Sequence, residues 1–149
     1  MHPWNESGEP QETGRASLEF LVAAVVLLIP VMFLGISLSS IHNATLAAET
    51  AARNAARVFV AETSLSVAAK RAETAVRVAL ANHGIREIQE LTRKCSVSEC
   101  LSPGSVVTIR VGVTAPLISS DFLPGFLGQP SVEVFGEASS VVSIFGGTP

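Results

Sequence analysis

Polar and apolar positions divide the chain into four blocks. Residues 1–14 (MHPWNESGEPQETG) are polar and carry Pro3, Gly8, Pro10 and Gly14, so nothing there can bury a core. Residues 20–41 (FLVAAVVLLIPVMFLGISLSSI) contain no charge at all. Residues 42–82 place small and apolar side chains at helical spacing. Beyond Gly84 the period falls to two, as strands require.

The uncharged run predicts a membrane-spanning helix over about 20–41, since roughly 20 apolar residues cross a bilayer. A buried core helix is the competing reading, but a chain this small cannot wrap such a segment on all sides. A secretory signal has a basic start and a core of about 7–15 apolar residues, whereas this run is longer and its start is acidic. Pro30 lies inside the span, where it removes a backbone donor and should kink the helix, as membrane helices tolerate. Gly35 and Ser37 to Ser40 follow and could admit close helix–helix packing or be ordinary small residues of a membrane helix.

No Gly or Pro interrupts residues 36–83, so the helix is predicted to leave the membrane and run from Ser17 to Ala61. Ala48, Ala51, Ala52, Ala55, Val58 and Phe59 form its small-residue stripe, and Glu49 and Arg53 stand in the stabilising i,i+4 order. Thr63 or Ser64 can open a second, amphipathic helix over 64–82. Its apolar side is Leu65, Ala68, Ala69, Ala72, Val76, Ala79 and Leu80, and Gly84 takes the left-handed position at its end.

Residues 105–115 alternate, with Val107, Ile109, Val111 and Val113 on one face. Residues 131–145 alternate again, with Val132, Val134, Gly136, Ala138, Val142 and Ile144 on one face, and residues 86–94 fit either a short helix or a first strand, the strand being preferred. The predicted fold is therefore α+β: a long N-terminal transmembrane helix continuing out of the membrane, an amphipathic helix, and a small antiparallel sheet packed on it. The expected organisation is a leader over 1–14, the long helix over 15–61, and a helix-plus-sheet domain over 62–149.

Composition narrows the chemistry. The 149 residues are 48% hydrophobic and 15% charged, with a formal net charge of −3, which does not favour nucleic acid as a partner. Asp121 is the sole Asp, there is no Tyr, and His2, His42 and His83 stand apart from any nucleophile or acid. No catalytic motif or phosphate loop occurs, so no enzymatic activity, cofactor, metal or small-molecule substrate is expected. Cys95 and Cys100 are too few for a zinc site; in an oxidising compartment they can close a disulfide across a tight loop, and otherwise they are two buried free thiols.

The odd residue is Glu19, an ionisable group at the membrane edge. One reading is a headgroup-level carboxylate near Arg15 with no special role. Its setting is more specific: Gly14, four residues, Glu19, the aromatic Phe20, then the apolar helix. This resembles the processing site of type IV prepilin-like proteins. With Pro30 in mid-span and the alanine–arginine stretch 51–57, it resembles the TadE-like minor pilins, or pseudopilins, of the tight-adherence (Tad/Flp) pilus system. The likeness covers residues 14–60, and its acidic leader departs from the short basic leader common in type IV pilins.

The resemblance implies cleavage between Gly14 and Arg15 by a membrane prepilin peptidase, and pairing of Glu19 with the new amine of a neighbouring subunit. It implies a structural subunit in the cytoplasmic (inner) membrane, with an extracytoplasmic domain, whose partners are other pilins, the assembly machinery and the membrane. The charge bias opposes that topology, because Arg53 and Arg57 after the span outnumber Arg15 before it. The alternative function is an unprocessed, single-span anchored binding domain, with Phe122, Leu123, Phe126 and Leu127 as its contact patch.

Overall fold

The computed structural model describes residues 12–117 and 130–145, with side chains from residue 15 onward. It has two helices and three strands in the order α1 (Glu12–Val60), α2 (Leu65–Ala81), β1 (Glu90–Cys95), β2 (Val106–Pro116) and β3 (Ser131–Val141). The α+β class holds: a long apolar N-terminal helix, a second helix and an antiparallel three-stranded sheet. The chain divides into two compact units, Met1–Gly35 and Ile36–Pro149.

In the first unit α1 begins at Glu12, five residues before the expected Ser17. Residues 1–11 of the leader lie outside the described residues, and Glu12 to Gly14 are already helical. The helix continues on both sides of Pro30. Side chains from Arg15 to Ile36 are exposed throughout.

The second unit is built on the alanine side of α1. Ala44, Ala47, Ala48, Ala51, Ala52, Ala55, Ala56 and Phe59 are buried together with Ala68, Ala72, Val76, Ala79 and Leu80 of α2. The sheet adds Val107, Ile109, Val111, Val113 and Ala115, the inward row of β2. Alanine at these positions has a reason beyond propensity: short side chains let a helix backbone approach a strand closely. Among the expected stripe residues, Val58 is only half-buried, and Leu65, in the first turn of α2, is 49% exposed.

α2 ends as expected. Gly84 has φ +76°, its N–H donates to Ala81 O at 3.0 Å, and Ile85 N–H donates to Leu80 O at 3.0 Å. That is the paired Schellman closure, with Ile85 folded back on the core. At its start Ser64 has extended backbone angles, but its side chain makes no capping bond.

The sheet is a meander, β1–β2–β3, with every pair antiparallel. The first strand is shorter than residues 86–94: Arg86 to Gln89 are irregular, and Ile85 and Ile88 are spent on the core instead. β3 ends at Val141, so residues 142–145 do not extend it, and Ile144, expected on the core face, is 67% exposed. Val142 still turns inward, held by its N–H to Ser105 O at 2.9 Å. On the outer face Phe135 covers Gly112, and the Arg110 guanidinium lies 4.2 Å from the Phe135 ring centre.

Candidate functional site

The residues singled out at the N-terminus all lie on α1. The Gly14–Arg15 bond falls in its first turn. Arg15 and Glu19 are four apart, on one side of the helix, in the order that is the weaker of the two for an ion pair. The ion pairs among the described residues are Glu49–Arg53, Glu62–Arg71 and Glu73–Arg77, and Glu19 belongs to none of them. After Glu19 no Asp, Glu, Lys or Arg occurs until Glu49.

Phe20, at 76% exposure, begins a surface of bare apolar side chains that includes Leu21, Val25, Leu28, Met32 and Leu34. This helix is long and apolar enough to cross a membrane, and none of the apolar stretch is buried by the rest of the chain. An exposed surface of this kind requires lipid or protein around it. The site is therefore one carboxylate at the foot of an apolar rod, with a main-chain bond five residues away at which a new amine could be created.

Cys95 and Cys100 form a disulfide, with their Cα atoms 5.2 Å apart. Cys95 closes β1 and Cys100 precedes β2, so the bridge pins the turn between them. Ser96 Oγ and N–H are both engaged there: Val106 N–H donates to Ser96 Oγ and Ser96 N–H donates to Val106 O, each at 2.9 Å. Ser105 Oγ donates to Cys100 O at 2.7 Å. The apolar patch of Phe122, Leu123, Phe126 and Leu127 lies outside the described residues.

Four contacts were missed in the sequence. Ser37 Oγ donates to Leu117 O at 2.8 Å and Ser40 Oγ donates to Pro116 O at 2.6 Å. These serines, one turn apart on α1, clasp the end of β2, so the last part of the uncharged run is occupied by the sheet. Gly136 lies against the backbone of Ala48 and Glu49, where no side chain fits. Arg93 places its guanidinium 4.9 Å from the ring centre of the buried Phe59. The placement of Gly136 on the inward face of a regular alternation was the one available signal.

No family model, curated protein sequence or solved structure matches the chain.

Proposed function

We propose that this protein is a membrane-anchored structural subunit of the TadE-like minor pilin type, cleaved after Gly14 and assembled through its N-terminal helix. The carrying observation is Glu19: a carboxylate with no ion-pair partner among the described residues, at the start of a bare apolar helix. Near lipid such a group needs a counter-charge. Cleavage of the Gly14–Arg15 bond produces an ammonium group at Arg15, and a neighbouring subunit can present it to Glu19. Attraction between the two is stronger at the membrane edge than in water, and desolvation offsets part of that gain.

Two further features support this reading. The peptide bond to be cut lies in the first helical turn, where few backbone bonds must open. The Cys95–Cys100 disulfide suits an oxidising compartment, which supports a helix–sheet unit outside the cytoplasm, against the charge bias. The test is replacement of Glu19 by Gln. Membrane insertion should persist while recovery of the protein in pili is lost; unchanged incorporation contradicts the proposal. An unprocessed anchored domain would instead keep its leader and tolerate the substitution.

A further inference from the structure

The sheet has two open edges, and they match each other. β1 and β3 are both antiparallel to β2, so they run parallel to one another at opposite edges. Hydrogen bonds at the ends of the sheet fix the phase of each edge. Ser96 N–H donates to Val106 O, so the main-chain groups of Leu91, Arg93 and Cys95 point away from β2. Leu117 N–H donates to Pro130 O and Val142 N–H donates to Ser105 O, so those of Ser131, Glu133, Phe135, Glu137 and Ser139 point outward from β3. None of these outward groups has a hydrogen-bond partner among the described residues. β3 runs eleven residues in unbroken register, with no proline or bulge inside it to deter a further strand.

The side chains of the two edges are complementary. The register places Leu91 and Arg93 of β1, and Val132 and Val134 of β3, on the core side of the sheet. Leu91 and Val132 are nevertheless each 40% exposed. Beside Leu91, between β1 and α2, lies a groove of about 440 Å³ lined by Phe59, Ala72 and Ile109. On the outer side, Lys94 stands on β1, and Glu133 and Glu137 stand on β3. None of these three charges belongs to an ion pair among the described residues.

We propose that β3 of one copy of this chain adds in parallel to β1 of the next, so that neighbouring copies share one continuous sheet. Parallel pairing sets each outward residue of β1 opposite an inward-bonded residue of β3, which keeps the two core faces on the same side. With Leu91 opposite Val132, Arg93 meets Val134, the two valines enter the groove beside α2, and Lys94 lies between Glu133 and Glu137 of the neighbour. Like edges suit each other less well. Two β3 strands paired antiparallel bring Glu133 and Glu137 beside the same carboxylates of the other copy, a repulsive arrangement. Two β1 strands offer only a short edge and leave β3 open. Pairing of β1 with β3 leaves one edge free on each side, so it is heterologous and propagates. It goes beyond the pilin-type reading and depends on neither cleavage nor Glu19.

The experiment uses the full chain in phosphatidylcholine vesicles at high lipid excess. The native cysteines are bridged, so Thr92→Cys and Glu133→Cys, at exposed positions of the outer face, supply the free thiols for a short bis-maleimide. In the proposed register these two positions of neighbouring copies lie opposite each other, whereas within one copy β2 separates them. The double variant should give a ladder of dimers, trimers and longer species, while each single variant stays monomeric. Adding Lys94→Glu should weaken the ladder several-fold, because Glu137 of the neighbour then meets a carboxylate; an unchanged ladder overturns the register. Circular dichroism of each variant checks that the fold is kept. Dimers from either single variant overturn the proposal in favour of like edges pairing. A double variant that keeps its fold and stays monomeric overturns it outright. None of these outcomes bears on processing at Gly14, which N-terminal sequencing reads separately.

Discussion

Gly136 of β3 lies against the main chain of Ala48 on α1, so close that a Cβ on Gly136 would overlap the carbonyl group of Ala48 and the amide nitrogen of Glu49. Neither side of this contact is a flexible side chain, so neither can give way cheaply. Gly136→Ala should therefore destabilise the helix–sheet unit at the upper end of the about 1–3 kcal/mol usual for overpacking, or beyond it. Denaturant unfolding of the detergent-solubilised chain, followed by circular dichroism, checks this; an unchanged midpoint would contradict the close crossing.

Phe59 is fully buried at the upper end of the alanine face, with Arg93 over its ring. Phe59→Ala should cost about 3–5 kcal/mol through lost burial and the cavity left behind. Arg93→Gln removes only the cation and should cost about 1 kcal/mol or less. The same unfolding measurement separates the two, and comparable losses would show that Arg93 does more than stack.

The disulfide closes a loop of only six residues, Cys95 to Cys100. Chain entropy for so short a loop amounts to about 2 kcal/mol. The double variant Cys95→Ser, Cys100→Ser should keep the sheet and lose about that much stability. A collapse of the strand signal instead would mean that the bridge is required to form the β1–β2 turn at all.

Ser37 and Ser40 act together on the Pro116 and Leu117 carbonyls. Ser37→Ala with Ser40→Ala strands both acceptors, at about 1–3 kcal/mol for each one that water cannot reach. Denaturant unfolding of the detergent-solubilised chain should show a lowered midpoint. An unchanged midpoint would indicate that water replaces both serines.

Much of this architecture is written in local periodicity. The charge-free run, the alternation through Val107, Ile109, Val111 and Val113, and the Gly84 helix stop each report a local constraint, and the structure meets all three. Boundaries were less legible because tertiary packing decides them. Ile85 and Ile88 join the core rather than extending β1, and Ile144 is left outside because β3 ends at Val141. The Ser37–Ser40 clasp has no local signature: small residues after an apolar run serve membrane packing, hydrogen bonding and neutral filling alike. Glu19 stood out in sequence because a lone carboxylate before a charge-free helix is chemically conspicuous, and the structure supplies no ion-pair partner for it among the described residues.

The central claim is that Glu19 awaits a charge made by cleavage. Intact-mass measurement with N-terminal sequencing, on protein drawn from its native membrane, tests it most directly. The account predicts a mature chain that begins at Arg15. A chain that still begins at or near Met1 would contradict it and leave an anchored domain whose Glu19 has some other partner.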